Sequence, residues 1–377
     1  MRKTAEELGF GVPEEWGIVS LGKTVKIIMG QSPPSSAYNN MGEGLPFLQG
    51  NAEFGIKHPT LSKYSKVVLK VAKKEDVLIS VRAPVGEVNI ADQEYCIGRG
   101  VAALRPHKVD NVFLFYLLKF FETKLKRIST GSTFKSISKP DLENLTIPYP
   151  PLPEQHKIAE ILSTFDKAVE LVDQIIEKSE RLKKGLMQKL LTRGIGHKKF
   201  KFVEELGFEV PEGWEVVKLA EVTKIRANKG VLRESEVAFI PMELIPDSSI
   251  YAKYKIRKSD KVSSYTYCEQ GDLLLAKITP SVENGKQGIV PKVPNGFALA
   301  TTEVFPIVCS NFIDTLFLFY LLKLQLIRNK IIFSMIGTTG RQRVQKNVLE
   351  NLIIPLPLLP EQRKIAGILS TVDKKIE

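Results

Sequence analysis

The sequence is poor in the residues that bind metals or cross-link chains. It has three cysteines and four histidines among 377 residues. The cysteines are Cys96, Cys268 and Cys309, and the histidines are His58, His107, His156 and His197. The cysteines are scattered and odd in number, which argues against a disulfide framework and favours buried, reduced thiols. No two histidines stand at the spacing of metal ligands, so we expect no resident metal.

Long apolar runs are also missing. No stretch reaches the ~18 apolar residues that a membrane-spanning helix needs. The first residues, MRKTAEELGFGVPEEW, carry two cations but no apolar core of signal-peptide length. We therefore expect a cytoplasmic protein.

Most catalytic signatures are absent as well. The sequence has no GxSxG nucleophile elbow and no glycine-rich dinucleotide fingerprint. The two Pro-Pro segments, SPPS at 32–35 and YPPL at 149–152, do not fit the Asn/Asp-Pro-Pro-aromatic loop of base-modifying methyltransferases. These absences predict a protein that binds rather than reacts.

The charge balance is strongly basic, with a formal net charge of +12. Such a balance indicates attraction to a polyanion, of which nucleic acid is the commonest. A solvated basic surface without a specific partner explains the charge equally well, so another feature must decide.

The deciding feature is an internal repeat of three sequence blocks. AEELGFGVPEEW at 5–16 returns as VEELGFEVPEGW at 203–214, and FLFYLLK occurs at 113–119 and 317–323. The third block is IPYPPLPEQHKIAEILSTFDKAVE at 147–170, which returns as IPLPLLPEQRKIAGILSTVDKKIE at 354–377. Because three blocks recur in the same order, chance is not a serious explanation.

Between these blocks the two copies diverge, as residues 28–60 have little in common with residues 225–250. The two copies are similar at their ends and dissimilar in their middle parts, which indicates one architecture that carries two different recognition surfaces. Drift after duplication is the alternative, but drift would have blurred the helix starts too. The divergent parts are rich in Gly, Pro, Ser and Asn around short apolar runs, which predicts strands of an irregular β domain.

A long amphipathic helix is predicted from Glu154 to Arg193, with Pro153 in a favoured first-turn position and glycines after its end. Its apolar residues alternate in steps of three and four, which is typical of a coiled-coil seam. The seam residues are Ile158, Ile161, Phe165, Ala168, Val172, Ile175, Ser179, Leu182 and Leu186. The second copy contributes Ile365, Ile368, Val372 and Ile376.

At 1.5 Å per residue the first helix is roughly 60 Å long and the second only about 25 Å. Antiparallel packing would therefore leave much of the first seam uncovered, so we expect either a truncated chain or another subunit there. The predicted fold is α+β, with two mixed, mainly β domains separated by helices of an antiparallel coiled coil in a pseudo-twofold repeat. The predicted boundaries are 1–150 for the first domain, 151–197 for the first helix, 198–353 for the second domain and 354–377 for the second helix.

One catalytic motif does match, since GIVSLGKT at 17–24 fits the Walker A pattern of a phosphate-binding loop. Such a loop needs a strand before it and a helix after it, but here it leads into the strand-like VKIIM at 25–29. The second copy reads EVVKLAEV at 215–222 and lacks both glycines and the final Lys-Thr. A nucleotide-binding loop in only one of two equivalent units is improbable.

The recurring IP-x-P-x-LPEQ-x-KIA-x-ILST block after a globular domain resembles the specificity subunit of type I restriction-modification systems, over the whole chain. The resemblance implies two target recognition domains, a split double-stranded DNA target and no catalytic activity in this chain. It also implies two adenine methyltransferase subunits as partners and, in the full nuclease, a translocating restriction subunit. S-adenosylmethionine, and ATP with magnesium, would then belong to those partners.

In this interpretation the helices set two half-sites apart, polar side chains read bases, and Lys and Arg hold phosphates. The candidate residues lie in the divergent, turn-rich stretches. They are Gln31, Ser32, Asn51, Lys57, Arg82, Arg99 and Lys135 in the first domain, and Arg226, Asn228, Lys229, Lys277, Gln287, Arg341, Gln342 and Arg343 in the second. The strongest candidates are the Gly-led loops GSTFKSIS (131–138) and GTTGRQRV (337–344), although a role in starting a helix is the alternative. Two other functions stay open: a nucleotide hydrolase that uses the Walker-like segment, and a protein-only scaffold.

Overall fold

The computed structural model describes residues 8–128, 136–229, 236–259, 264–338 and 340–376. The chain divides into two compact units, which we name unit 1 (residues 1–171) and unit 2 (residues 172–377). Each unit combines small sheets with short helices, which confirms the predicted α+β class. No helix in the described part of the chain is both long and apolar enough to cross a membrane.

Unit 1 contains eleven short strands among its described residues. They are β1 (Gly17–Ser20), β2 (Val25–Met29), β3 (Tyr38–Asn39), β4 (Leu45–Leu48), β5 (Tyr64–Ser65), β6 (Val71–Ala72), β7 (Val77–Ser80), β8 (Val88–Ile90), β9 (Tyr95–Ile97), β10 (Val101–Pro106) and β11 (Thr146–Tyr149). The helices are α1 (Asn111–Phe120), α2 (Glu122–Ile128), α3 (Lys139–Glu143) and α4 (Leu152–Arg193), of which α4 continues into unit 2.

The strands of unit 1 form two sheets and a separate pair. An antiparallel sheet has the order β2-β10-β7-β8, and a mixed sheet has the order β3-β5-β4-β9-β6. The pair β1-β11 joins the start of the unit to the strand that leads into α4. Helix α1 packs on the antiparallel sheet, and its apolar face, which includes Phe113, Leu114 and Leu118, is buried in the core.

Unit 2 repeats this plan with a hairpin added at its start. Its strands are β12 (Phe200–Val203), β13 (Phe208–Pro211), β14 (Glu215–Lys218), β15 (Thr223–Ile225), β16 (Glu236–Ile240), β17 (Lys255–Lys258), β18 (Thr266–Glu269), β19 (Leu273–Ala276), β20 (Gln287–Ile289), β21 (Phe297–Ala300), β22 (Val304–Cys309) and β23 (Ile353–Leu356). Its helices are α5 (Leu219–Val222), α6 (Thr315–Lys323), α7 (Gln325–Phe333), α8 (Lys346–Glu350) and α9 (Leu359–Ile376).

The sheets of unit 2 correspond to those of unit 1. The order β15-β22-β19-β20 matches β2-β10-β7-β8, and the pair β14-β23 matches β1-β11. The remaining sheet has the order β17-β16-β21-β18. The copies differ most in this last sheet, which belongs to the part of the sequence that diverges.

The long helix α4 runs from Leu152 to Arg193, close to the predicted bounds. It ends where Gly194 adopts a φ of +63°, a left-handed conformation that glycine enters without the strain of a side chain. A stripe of large apolar side chains along its middle is exposed. The predicted seam residues in this stripe are Ile161, Phe165, Val172 and Ile175, each at least 45% exposed.

The last part of α4 packs antiparallel to α9 within unit 2. Lys183 forms an ion pair with Asp373, while the Ile195 N–H, at the opposite end, donates to Glu361 at 2.9 Å. Ile365 of α9 is fully buried in the core of the unit. This confirms the predicted antiparallel packing over the short stretch where both helices are present.

The predicted seam is wrong at Leu182, which is 58% exposed. Instead Lys183 reaches Asp373, and Met187 and Leu190 are buried in the core of unit 2. A strict seven-residue repeat drifts by about 20° per heptad relative to a straight helix. Over four heptads from Ile158 this drift moves the buried face by nearly one residue.

The Walker-like segment does not form a phosphate-binding loop. Gly17–Ser20 is the strand β1, paired with Thr146–Tyr149, and Val25–Met29 is the strand β2. Leu21 between them is fully buried. The segment therefore lacks the glycine-rich turn into a helix that would direct several backbone N–H groups at one phosphate.

Candidate nucleic-acid interface

The loops that follow the central strands of unit 1 lie together at one end of the unit. Strands β2, β4, β7 and β9 all finish there, and β10 starts there, because β10 is antiparallel to β2 and β7 while β4 is parallel to β9. We name these loops, residues 30–32, 49–51, 81–87, 98–100 and 136–137, the unit 1 edge. Five of the seven residues predicted for this domain lie on it, namely Gln31, Ser32, Asn51, Arg82 and Arg99.

Hydrogen bonds hold the first of these loops in place. The Ser32 hydroxyl accepts from the Arg99 backbone N–H at 3.1 Å and from the side-chain amide of Gln49 at 3.2 Å. The Gln31 N–H donates to the carbonyl of Ile97 at 2.9 Å, while its side chain is exposed. Ser32 therefore positions the loop, whereas the side chains of Gln31 and Arg99 are free to face a ligand. Gln49 was not among the residues predicted from the sequence.

Gly30 allows the loops to approach closely. A Cβ at this position would lie 2.2 Å from the carbonyl oxygen of Gly98 and 2.6 Å from that of Val101. Real Cβ atoms do not come so near to backbone oxygens, so only glycine fits there. The close approach brings the Gln31 loop beside the Arg99 turn.

The loop after β7 completes the unit 1 edge. Arg82 is exposed, and it forms an isolated bridge with Ser136. The neighbouring Val81 N–H donates to the carbonyl of Gly100 at 2.9 Å. The side-chain amide of Asn51 donates to Glu87 at 3.1 Å, so Asn51 is partly engaged within the protein.

The remaining two predictions of this domain lie elsewhere. Lys57 is placed toward the opposite end of the sheet, because its carbonyl accepts from Ile90, which pairs with Val77 at the start of β7. Lys135 lies outside the described residues.

Unit 2 has the same arrangement at the corresponding end of its sheet. The N–H of Lys277 donates to the carbonyl of Glu303 at 3.0 Å, and the N–H of Val344 donates to the carbonyl of Lys277 at 2.8 Å. Ile278 forms a bridge with Arg343, as Arg82 does with Ser136 in unit 1. We name residues 277–280, 301–303 and 336–344, except the undescribed Thr339, the unit 2 edge.

The GTTGRQRV loop supplies the charges of this edge. Arg341 and Arg343 are exposed, and Arg343 forms an ion pair with Glu303 at 2.8 Å. Hydrogen bonding to this carboxylate raises the pKa of Arg343. The backbone carbonyl of Gln342 accepts from Thr279 at 3.0 Å, which ties the loop to the end of β19. Lys277 lies with its ammonium 5.2 Å from the ring centre of Phe305.

Three other predicted residues of unit 2 lie in a separate ionic cluster at the start of β19. Arg226 forms paired hydrogen bonds with Asp272, at 2.5 and 2.7 Å, which raise its pKa. Lys229 contacts Glu269 at 3.1 Å and lowers the pKa of that carboxylate. Asn228 accepts from the backbone N–H of Tyr267 at 2.8 Å. Arg226 is only 15% exposed, so these groups mainly join two loops to each other.

Gln287 is not available to a ligand, contrary to the expectation of a base-reading side chain. It is fully buried, its side-chain amide donates to the carbonyl of Phe319 at 2.6 Å, and its oxygen accepts from Arg328. The sequence could not reveal this, because a glutamine in a polar stretch can equally be exposed or satisfied inside the protein.

The two edges present groups suited to reading a polyanion. Exposed arginines can bind phosphate or the edge of a guanine with two parallel hydrogen bonds, and an exposed glutamine can do the same with adenine. The positions of Arg82 and Ser136 in unit 1 are taken by Ile278 and Arg343 in unit 2. The scaffold therefore repeats while the side chains on it change.

A second set of contacts is repeated with the same residue types. The Trp16 indole donates to Glu154 at 3.0 Å, as Trp214 does to Glu361 at 3.1 Å. Gln155 accepts from the N–H of Asp110 at 2.9 Å. In unit 2, Gln362 likewise accepts from the N–H of Asp314 at 2.8 Å. Tyr116 donates to Asp166 in unit 1, and Tyr320 donates to Asp373 in unit 2, each at 2.6 Å. Burial and the hydrogen bond to Asp166 raise the pKa of Tyr116 to about 12.

Two copies of one α+β unit, alike in scaffold and different in exposed loops, define a tandem recognition protein. The chain matches the family model described as the type I restriction modification DNA specificity domain twice, over residues 13–181 and 211–377. It therefore belongs to the family of type I restriction-modification specificity subunits.

Individual relatives agree with this assignment. The chain is 32% identical to the type I restriction enzyme MjaVIII specificity subunit of Methanocaldococcus jannaschii, over 98% of this chain and 88% of that protein. It is 51% identical to the putative MjaX specificity subunit of the same organism, but that match covers 48% of this chain and only 44% of the relative. The crystal structure of a type I S subunit from M. genitalium has the same fold, with a TM-score of 0.59, 17% identity, and coverage of 97% of this chain and 92% of that one.

Proposed function

We propose that this chain is the sequence-specific DNA-binding subunit of a type I restriction-modification complex, in which each unit reads one half of a bipartite target through its edge. One observation carries the proposal. The hydrogen bonds that join the loop after β7 to residues 136–137 recur between the loop after β19 and residues 343–344. Both units thus hold a variable, cation-bearing surface in an equivalent place.

The proposed partners are two adenine methyltransferase subunits and, in the full nuclease, restriction subunits. The exposed apolar stripe of α4, which includes Phe165 at 67% exposure and Ile175 at 54%, supports a protein partner along this helix. S-adenosylmethionine, ATP and magnesium would be bound by those subunits, while this chain contributes recognition rather than catalysis. Such a complex would act on DNA in the cytoplasm.

The decisive experiment is co-expression with the methyltransferase subunit, followed by genome-wide mapping of methylated adenines. We expect a two-part motif with a gap of fixed length and free sequence. Exchange of residues 1–150 for another recognition domain should change one half of the motif only. A contiguous motif, or a change in both halves, would contradict the proposal.

The two alternative functions make different predictions. A nucleotide hydrolase would lose its activity in Lys23→Ala, whereas we expect this substitution to leave DNA binding nearly intact because the segment is a strand and a tight turn. A protein-only scaffold would show a DNA affinity that does not respond to salt. Phosphate contacts instead make the logarithm of affinity fall steeply with the logarithm of salt concentration.

A further inference from the structure

Unit 2 contains an open cavity of about 760 Å³ that the proposed DNA reading does not use. Its walls are the part of α4 around Lys183 and Met187, the junction of α6 and α7, and the loops at 247–248 and 283–285. A cavity of this size can hold a small molecule with several polar groups.

The floor of the cavity is cationic. Arg328 is only 3% exposed, and its Nη2 donates to Gln287. Among the described residues, no acceptor lies within hydrogen-bonding distance of its Nη1. A buried, charged N–H group that lacks an acceptor is destabilising, and such groups are rare in native proteins. Lys323 lines the cavity together with Arg328, and its ammonium donates to the carbonyl of Asp247 at 2.7 Å.

The protein itself neutralises this charge only in part. Lys183 is paired with Asp373, but in the described part of the chain neither Lys323 nor Arg328 takes part in an ion pair. The pKa of Lys323 is lowered to about 8, first by burial and then by the charges of Lys183 and Arg328. The cations are therefore close enough to repel one another.

The carboxylates of the cavity stand at its mouth rather than on its floor. They belong to Glu180, Asp247 and Glu283, whose side chains are exposed, and Lys184 lies beside them. Water screens exposed charges strongly, so these groups compensate the charges of Arg328 and Lys323 only weakly. They also disfavour a long polyanion laid across the opening.

Unit 1 provides a natural comparison, because Lys119 occupies the position of Lys323 in the repeated FLFYLLK block. Each lysine lies over the ring of a phenylalanine one turn earlier, Lys119 over Phe115 at 5.2 Å and Lys323 over Phe319 at 4.7 Å. Lys119 is exposed, however, and does not line this cavity. Lys119 is therefore an exposed counterpart of Lys323 that lies outside this cavity.

We propose that the cavity of unit 2 binds a phosphate group, with Lys323 and Arg328 as its principal ligands. A tetrahedral dianion would supply acceptors for the free guanidinium N–H groups and for the ammonium, and it would neutralise the buried charge of Arg328 and the half-buried charge of Lys323 at once. The acidic mouth favours a phosphate carried by a small molecule over a phosphate of the DNA backbone.

Calorimetric titration of the full chain with inorganic phosphate at pH 7 tests the proposal, with sodium chloride added to keep the ionic strength constant. We expect saturable binding of one phosphate per chain. Lys323→Met should weaken it at least tenfold, and Lys119→Met should leave it unchanged. Arg328→Lys, which keeps a charge at the floor, should retain part of the affinity. Absence of saturable binding in the unsubstituted protein would overturn the proposal, as would an equal effect of the two methionine variants.

A second arm of the experiment identifies the source of the phosphate. If phosphate still binds in the presence of saturating duplex DNA, the natural ligand is a small phosphate-bearing molecule. If DNA displaces phosphate and Lys323→Met lowers the salt dependence of DNA binding, the phosphate belongs to the backbone. Phosphate binding can succeed or fail independently of the proposed DNA target, because the methylation motif is measured separately.

Discussion

The indole N–H of Trp214 donates a hydrogen bond to the carboxylate of Glu361 at 3.1 Å, and Trp16 makes the equivalent bond to Glu154. Each pair joins the first recurring sequence block to the third. Glu361 also accepts from the N–H of Ile195 and contacts the ring of His197, both at 2.9 Å. The carboxylate thereby fixes the residues that follow α4 against the start of α9.

These contacts explain why three separated blocks recur together while the sequence between them does not. The second block contacts the third through Tyr116 and Asp166 in unit 1 and through Tyr320 and Asp373 in unit 2. Because a substitution in one block would leave a polar partner unpaired in another, the blocks constrain each other. Exposed side chains on the two edges, such as those of Gln31 and Arg82, are not tied to the recurring blocks in this way.

Gln362→Leu should destabilise unit 2 more than any exposed glutamine substitution. Gln362 is fully buried, accepts from the N–H of Asp314 at 2.8 Å, and donates to the carbonyls of Pro357 and Phe312 at 2.7 and 3.0 Å. Leucine would leave these groups unsatisfied, at about 1–3 kcal/mol each before relaxation. We expect a loss of roughly 2–4 kcal/mol in the free energy of unfolding, measured with urea.

The matched control for this prediction is Gln270→Leu, because Gln270 is exposed. It should change stability by less than about 0.5 kcal/mol. Equal losses in the two variants would show that Gln362 does not hold the helix start to the rest of unit 2.

Two glycines of the same segment should respond to alanine with opposite signs. At Gly194 a Cβ would lie 2.5 Å from the Glu361 carboxylate and 2.7 Å from the Trp214 ring, and its φ of +63° adds strain. Gly194→Ala should therefore lower the free energy of unfolding by more than about 1 kcal/mol. Gly185 lies inside α4 with nothing within 4 Å of its Cβ position, so Gly185→Ala should raise it by roughly 0.5–1 kcal/mol.

Thermal or urea unfolding of both variants tests this pair of predictions. Stabilisation by Gly194→Ala would contradict the packing described around Glu361. Destabilisation by Gly185→Ala would indicate that the exposed face of α4 is covered in solution.

The sequence alone predicts the repeated scaffold well, since its signals are local. The first-turn Pro153 and the glycine after Arg193 mark the ends of α4, and the FLFYLLK and PEQ blocks mark helices in both units. The predicted seam fails at Leu182, because a seven-residue spacing drifts around a straight helix over several heptads.

The candidate site could be predicted only in part. The bridges between Arg82 and Ser136 and between Ile278 and Arg343 join residues far apart in the chain, so the sequence does not show these pairings. The predicted Gly-led loops contain one partner of each bridge, Ser136 or Arg343. Gln287 was wrongly predicted to be a DNA-binding side chain, because its burial depends on tertiary packing, which no local pattern encodes. The sequence does offer one matching signal, since Pro84 and Pro280 are equally placed after β7 and β19.

Arg82→Ala should weaken binding to the DNA target and reduce methylation of the half read by unit 1. Loss of one charged contact should weaken binding by roughly 1–3 kcal/mol, and a lost phosphate contact lowers the slope of log affinity against log salt by about 0.9. Binding measured by fluorescence anisotropy at several salt concentrations provides both values. Arg343→Ala should affect the other half of the motif in the same way.

Lys57→Ala is the control for the unit 1 edge, because Lys57 has the same charge but lies toward the opposite end of the sheet. We expect its DNA affinity to stay within about twofold of the unsubstituted protein. If Lys57→Ala weakened binding as much as Arg82→Ala, the assignment of DNA binding to this edge would be wrong.

Lys323 should make the stability of unit 2 depend on pH. Its pKa falls from the ordinary 10.5 to about 8 in the folded chain, because burial and the charges of Lys183 and Arg328 outweigh Asp373 and Asp247. Between pH 8 and 10.5 the unfolded chain binds more protons than the folded one, so stability rises with pH in this window. Well below pH 8 the full penalty applies, of the order of 3 kcal/mol.

Urea unfolding of Lys323→Met beside the unsubstituted protein isolates this contribution from other titrating groups. The variant should be the more stable of the two at pH 7 in phosphate-free buffer, and its advantage should shrink as the pH rises to 10. Lys119→Met is the matched control, because Lys119 occupies the equivalent position in unit 1 but is exposed. Since a bound phosphate would neutralise the floor of the cavity, adding it at pH 7 should stabilise the unsubstituted protein and reduce the same advantage. A constant difference between Lys323→Met and the unsubstituted protein across this range would mean that Lys323 is protonated as easily in the folded chain as in water.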